Sequence, residues 1–316
     1  MGLLLEHIAD AKAIGIAGHI RPDGDCVGSC LALYNYVREQ FPDKQVDCYM
    51  ETVPKTFRFM TGAEQIKSEY ETDVRYDLFV SLDCSSIDRL GEAQKYFDGA
   101  KETICIDHHI SNTAFGEHNI ANPQASSTCE VLFEQLEPEK ITLDIATALY
   151  IGIIFDTGVF KHTNTSRRTM EIAGFLMEQG VPYSKLIDEC FYQRTNTQTQ
   201  LLGRTLLASM RVLDGKCIFS VVTRRVLDFY NATTEDLDGI IDEMRVTKGV
   251  EVAILMHEQD EQKFKVSMRS NGNVDVSQIA MFFGGGGHVK AAGCTMSGTY
   301  RDVINNLTLH IEKQLT

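Results

Sequence analysis

His19, Asp23 and Asp25 fall at i, i+4 and i+6 in the run His19-Ile20-Arg21-Pro22-Asp23-Gly24-Asp25, with Gly28-Ser29 just beyond. One imidazole and two carboxylates on a tight loop can grip a divalent cation from two directions. Pro22 and Gly24 favour the turn that such a grip needs. Taken alone, the cluster divides evenly between that chemistry and a helix cap, with Asp25 satisfying amides at the start of the next helix. Three further segments carry the same residue types: Asp83 in SLDCS, Asp107-His108-His109 in IDHH, and Asp156 in FDTG. Each also has a plain reading. A lone Asp at a strand end caps or turns, and an HH pair is a polar loop. An Asp after LYIGIIF needs a partner wherever it is buried. Adjacent histidines on an extended backbone point different ways, so one can bind metal while the other faces a substrate.

The conjunction outweighs its parts. If His19, Asp23, Asp25, Asp83, His108 and Asp156 converge, four carboxylates share one pocket, and their repulsion is costly without cations. Two divalent ions resolve it, and a metal pair about 3.5–4 Å apart is the usual apparatus for hydrolysing phosphate esters. Mixed His/Asp ligation suits Mn²⁺, with Co²⁺, Fe²⁺ or Mg²⁺ as alternatives. Cys26 and Cys84 stand in no ligand register with a second Cys and read as small packing residues. A last signal is Phe283-Gly284-Gly285-Gly286-Gly287-His288. Glycines let a backbone approach a ligand and turn amides toward phosphate oxygens. His288 and Arg269 (in SMRS) can add charge-assisted contacts. A flexible loop is the commoner fate of a glycine run, but a helix pattern precedes this one and an apolar segment follows.

Something must position these residues. Short apolar runs at 12–18, 46–50, 77–83 and 103–107 read as buried strands, and 26–40 reads as a helix. Helical patterns follow at 126–137, 142–155, 166–179 and 183–192. Strand–helix alternation with continuous apolar strands implies a covered parallel sheet in an α/β fold. Ligands of such sheets bind off the carboxyl ends of the strands. The first strand runs into His19, the third into Asp83 and the fourth into Asp107-His108-His109. A polar helical connector (196–210) separates a domain at 1–195 from a smaller α+β domain at 211–316. In the latter we expect strands near 211–222, 250–257 and 263–269, and helices near 234–245, 275–281 and 300–314.

Composition bounds the partners. The 316 residues give room for two domains, at roughly 100–200 residues each. Acidic residues number 44 and basic ones 30, a net charge of −14, which argues against a binder of long duplex nucleic acid. Nine scattered cysteines without a CxxC pair read as reduced thiols of a cytoplasmic protein. No stretch has the length and character of a membrane span or signal peptide.

In combination the motifs resemble the DHH phosphoesterase family. HIRPDGDCVGS is similar to its first motif, SLDCS to its second, IDHH to its name-giving third and FDTG to its fourth. FGGGGH resembles the signature of the accessory domain that follows the DHH domain in one branch. SSTCEVLFEQL (126–136) and DTGVFKHTNTS (156–166) also match. A compact, acidic, two-domain chain is most similar to the nanoRNase and pAp phosphatase group. That group hydrolyses very short oligonucleotides, 3′-phosphoadenosine 5′-phosphate, or linear and cyclic dinucleotides.

The resemblance implies an active site in the cleft between the domains. It implies that His19, Asp23 and Asp83 hold one metal, and that Asp25, Asp83, His108 and Asp156 hold the other, with Asp83 bridging. His109 then contacts the scissile phosphate, and Asp107 orients a ligand or the loop. Arg269, Gly285, Gly286, Gly287 and His288 hold the far end of a small nucleotide or short single-stranded RNA. A homodimer is compatible with the resemblance. Rival readings are a pAp-selective phosphatase, a cyclic-dinucleotide phosphodiesterase, a catalytically silent nucleotide sensor, and an RNA-binding module.

Overall fold

In a parallel sheet covered on both faces every strand residue is buried, so the strands must be apolar throughout. The three central strands of the first half come close to this, while its two edge strands are partly exposed. A computed structural model describes residues 2–71 and 74–315, and the chain divides into two compact units, Met1–Gln193 and Arg194–Thr316.

The first unit holds helix α1 (Leu3–Asp10), strand β1 (Ala13–Ala17), α2 (Gly24–Gln40), β2 (Gln45–Tyr49), β3 (Leu78–Leu82) and the short α3 (Gln94–Asp98). β4 (Glu102–Asp107), β5 (His118–Ala121), α4 (Thr128–Phe133), α5 (Leu143–Asp156), α6 (Arg167–Glu178) and α7 (Tyr183–Ile187) follow. The five strands form one parallel sheet in the order β2-β1-β3-β4-β5. Ile14, Ile16, Leu78, Val80, Leu82, Ile104 and Ile106 belong to the same buried cluster as the apolar side chains of α2, α4 and α5. A second cluster is aromatic: Tyr49, Tyr76, Phe79, Tyr96 and Phe97. α2 and α5 are buried nearly all round, and small residues let them come together. A Cβ on Gly28 would sit 2.5 Å from the Ala148 carbonyl oxygen, and one on Gly152 would sit 2.5 Å from Asp25 Oδ1.

The second unit runs α8 (Asn196–Leu207), β6 (Met210–Val212), β7 (Cys217–Val222), α9 (Arg224–Phe229), α10 (Ile240–Arg245), β8 (Val252–Asp260) and β9 (Lys263–Ser270). α11 (Val276–Phe282), β10 (Gly286–His288), β11 (Ala291–Ser297) and α12 (Tyr300–Leu315) complete it. Its mixed sheet has the order β10-β11-β9-β8-β7-β6, with only β7 and β8 parallel. One buried cluster joins the sheet to α11 and α12, and another joins it to α8 and α10.

Several expectations need correction. The strand over 211–222 is two antiparallel strands, because Leu213, Asp214 and Gly215 take positive φ and turn the chain. The helix at 234–245 breaks at Gly239, whose φ is +77°. The patterns at 126–137 and 183–192 shorten to α4 and α7, the latter running into a π-helical turn at Asp188–Tyr192. The glycine run is not wholly a loop. Gly286–His288 is an edge strand paired with Ala291–Gly293. Among the described residues no helix is long and apolar enough to cross a membrane.

Candidate metal centre

Strand order decides which strand ends meet. β1, β3 and β4 are consecutive neighbours in the sheet, so their carboxyl ends lie about 4.8 Å apart from one strand to the next. They deliver His19, Asp83 and Asp107-His108-His109 to one edge. α2 begins there with Asp23 and Asp25, and α5 ends there with Asp156.

His108 Nε2 lies 3.0 Å from Asp156 Oδ2, 3.8 Å from Asp83 Oδ1 and 4.0 Å from Asp25 Oδ2. His19 Nε2 lies 3.5 Å from Asp83 Oδ2 and 3.8 Å from Asp23 Oδ1. His19 Nδ1 sits 2.8 Å from the Ile20 carbonyl oxygen. Arg89 Nη2 also approaches His19 Nδ1, at 3.2 Å; in the tautomer that gives the Nδ1 hydrogen to the Ile20 oxygen, the lone pair falls on Nε2, where a metal ligand needs it. His109 and Asp107 form a separate pair, 2.7 Å between Nδ1 and Oδ1. Asn112 Nδ2 donates to the other Asp107 oxygen at 2.6 Å. His109 Nδ1 is also 3.6 Å from Asp83 Oδ1.

The carboxylates are held from behind. Asp23, not Asp25, caps α2, with Oδ1 accepting from the amides of Asp25 and Cys26. Asp25 is fully buried, and its oxygens accept from the amides of Thr128 and Cys129 at 2.6 and 3.0 Å. The Thr128 hydroxyl donates to Asp83 Oδ1 at 2.9 Å. Asp83 takes φ of +59°, a turn that ends β3 abruptly. Thr128 and Cys129 were missed as supports. Their segment resembled a family motif, but nothing in its residue types announces that the first turn of a helix will face an Asp 103 positions away. Cys26 is buried with its sulfur accepting from the His19 amide, and it lies close enough to His19 and Asp83 to count among candidate ligands.

The electrostatics say what the pocket lacks. Burial, then the charges of Asp83 and Asp156, push the Asp25 carboxyl well above its ordinary range. Burial also raises Asp156, against the pull of His108. Burial opposes a charge on His108, but Asp156, Asp25 and Asp83 together push its pKa up to about 10. Among the described residues no Lys or Arg nitrogen lies within 4 Å of Asp23, Asp25, Asp83 or Asp156; their ion-pair partners are histidines. Protein charges alone therefore leave these carboxylates under-compensated. Oxygen and imidazole donors in this number fit divalent cations. Three groups have donor atoms all within 4.8 Å of one another: His19 with Cys26 and Asp83, Asp83 with His108 and His109, and Asp25 with His108 and Asp156.

The remaining candidates lie in the second unit. Pairing places Arg269 opposite Ala291, and Ala291 opposite His288. Arg269 and His288 thus share one row and one face, two strands apart. Gly285 and Gly287 are demanded by packing. A Cβ on Gly285 would lie 2.1 Å from the Gly293 carbonyl oxygen, and one on Gly287 2.5 Å from that of Ala291. Gly286 has open space around it. Arg269 Nε is 3.7 Å from Asp242 Oδ1 and lines a cavity of about 620 Å³ with Lys265, Ser267 and His257.

Comparison with known proteins shows the family of both units. The DHH family, N-terminal domain, matches residues 13–153, and the DHHA1 domain matches residues 214–315. The bifunctional oligoribonuclease and PAP phosphatase NrnA of Thermus thermophilus is 30% identical over 288 residues, covering 90% of this chain and 84% of that protein. The protein of the same name from Bacillus subtilis is 26% identical over 299 residues, covering 93% and 92%. The crystal structure of an exopolyphosphatase-related protein from Bacteroides fragilis shares the fold, with a TM-score of 0.86 at 24% identity over 98% of this chain and 94% of that one. With a carboxylate–histidine cluster at the edge of a parallel sheet, and a glycine-edged mixed sheet after it, the chain belongs to the DHH phosphoesterase family, in the branch that carries a DHHA1 domain.

Proposed function

We propose that this chain hydrolyses short oligoribonucleotides and 3′-phosphoadenosine 5′-phosphate to mononucleotides, using two divalent cations. The observation that carries the proposal is the convergence of His19, Asp23, Asp25, Asp83, His108 and Asp156 without a Lys or Arg to neutralise them among the described residues. His19, Asp23 and Asp83 would hold one ion, and Asp25, Asp83, His108 and Asp156 would hold the other, with Asp83 available to both. Mn²⁺ suits this donor set best. Bound there, the pair supplies an acidified water and positive charge for the phosphoryl oxygens.

The chain's own residues do the rest. The Thr128 and Cys129 amides keep both Asp25 oxygens fixed. Asp107 Oδ1 accepts a hydrogen bond from the Nδ1–H of His109, whose pKa that hydrogen bond raises. His109 Nε2–H is then free to donate to a phosphoryl oxygen as charge builds there. Solvent protonates the departing ribose oxygen. Arg269 and His288, about 10 Å apart across two strand spacings, offer cationic and hydrogen-bonding groups to a phosphate, and the open Gly286 lets one come close. A surface of net charge −14 tolerates a dinucleotide and repels a long polyanion.

The relatives' names support these substrates. A cyclic-di-AMP phosphodiesterase is also similar, 27% identical over 93% of this chain, but the chain spans only 46% of that protein. The test is to incubate the purified protein with Mn²⁺ and pAp, pApA, cyclic dinucleotides and two- to ten-mer RNA, and to follow mononucleotide release. Release from pApA and the shortest RNAs, fading with length, is expected. Silence on every substrate from folded, metal-loaded protein would sink the proposal and favour a nucleotide sensor.

A further inference from the structure

The segment that follows Asp156 carries backbone that L-residues avoid. Gly158, Val159 and Phe160 all have positive φ, at +54°, +56° and +62°. Left-handed residues ordinarily occur singly, and a β-branched one is a clear outlier. Such strain persists only where the surroundings over-determine it. Here Thr157 does much of that. Its carbonyl accepts from the amides of Lys161 and His162, and its hydroxyl accepts from the Phe160 amide while donating to the Ile153 carbonyl. The Phe160 ring packs edge-on against Tyr150.

The turn returns the chain toward Asp156. Asn164 Nδ2 donates to two carbonyl oxygens, that of Ser126 at 2.9 Å and that of Asp156 at 3.1 Å. His162 Nδ1 reaches the same Asp156 oxygen at 3.2 Å. Ser126 is itself pinned, with its amide and hydroxyl both donating to buried Glu130 Oε2, which also accepts from Thr169. Two residues beyond Ser126 stands Thr128, which holds Asp25 through its amide and Asp83 through its hydroxyl. One side-chain amide thus ties the segment bearing Asp156 to the segment supporting Asp25 and Asp83.

We propose that residues 157–164 form a strained clasp, and that Asn164 is a positioning residue that fixes Asp156 against the Asp25–Asp83 pair and thereby completes the second cation position. The proposal rests on the two-cation reading above. Asn164 contacts neither a cation nor a substrate in this account. It acts through the backbone of Asp156 and Ser126. The left-handed turn is the device that brings a residue eight positions downstream back to the ligand.

The experiment titrates Mn²⁺ into wild-type, Asn164→Ala and His162→Ala proteins, reading affinities by calorimetry and coupling between ions by electron paramagnetic resonance. Circular dichroism and thermal unfolding of the metal-free proteins run alongside. The wild type should bind two ions with a spin-coupled signal. Asn164→Ala should keep the first ion, weaken the second at least about tenfold and show the uncoupled signal, with kcat falling more than KM rises. His162→Ala should show a smaller change in the same direction. A wild type with a single ion would sink the two-cation reading before the clasp is reached. A normal coupled pair in Asn164→Ala would overturn the clasp alone. Loss of both ions together with the metal-free thermal transition would mean a general structural role, and would overturn it too.

Discussion

The edge of the first sheet and the edge of the second both gather polar residues, by different means. At the first, side chains from four segments point inward and are gripped by buried donors: Thr128 and Cys129 on Asp25, Thr128 on Asp83, Asn112 on Asp107. At the second, strand register lays Arg269 and His288 on one exposed face. No side-chain hydrogen bond from His288 is found among the described residues, and the Arg269 side chain meets the Met268 carbonyl and, at 3.7 Å, Asp242. The first arrangement is pre-organised for charge that must not move. The second can adapt to whatever reaches it. Chemistry needs positions held to a fraction of an ångström, whereas recognition of a flexible ligand tolerates side chains that settle on binding.

Mutations can break that contrast. His108→Ala should lower kcat at least about 1000-fold, since it removes a nitrogen that lies within 4 Å of Asp25, Asp83 and Asp156 alike. Mononucleotide release in a stopped assay reads this, and retained turnover would separate the cluster from the chemistry. Thr128→Val keeps the amide and deletes the hydroxyl, so Asp83 loses its support while Asp25 keeps its own. Mn²⁺ affinity should fall about 10- to 100-fold by calorimetry. Arg269→Ala should raise KM about tenfold and leave kcat nearly unchanged, the signature of lost binding shared by ground and transition states. An equal fall in kcat would make the second sheet part of the chemistry.

Two glycines sharpen the comparison through stability. Gly152→Ala puts a methyl 2.2 Å from Cys129 Sγ, beside Asp25, and should cost about 1–3 kcal/mol in urea unfolding. Gly286→Ala meets open space and should change unfolding within about 0.5 kcal/mol. The smallest effect concerns pH. Without metal, His108 is stabilised in its charged form, with a folded pKa near 10 against an ordinary 6.5. Its contribution is complete below 6.5 and disappears as pH rises toward 10, so the Tm of chelator-treated protein should fall over that window. Mn²⁺ binds the unprotonated ring, so metal affinity should rise over the same window.

How much of this could be read in advance follows the same divide. The strands ending at His19, Asp83 and Asp107 were legible because buried parallel strands need unbroken apolar runs and stop where polar residues begin. The candidate ligand types stood out because acids and histidines are scarce beside such runs. The capping role went to Asp23 where Asp25 was considered, since which of two carboxylates two residues apart turns inward depends on what packs against the helix start. The glycine run also meets a demand that the sequence does not show. Gly285 and Gly287 are small because β11 crowds them, a fact about a neighbouring strand that composition does not carry.

The amino-acid sequence by itself determined the periodicities, the α/β class and an inventory of six metal-competent side chains, because local hydrophobic patterning fixes which segments are strands and where they end. The tertiary structure decided the rest. Sheet order made β1, β3 and β4 neighbours, and that adjacency, not any spacing along the chain, brings His19, Asp83 and His108 within 4 Å contacts. It also chose the hydrogen-bond partners around the cluster: Thr128 on Asp83, Asn112 on Asp107 and Asn164 on the Asp156 carbonyl. A hydrogen bond between groups far apart in sequence exists only once the backbone between them has been folded into place, and long-range geometry of that kind leaves no trace in a residue's type.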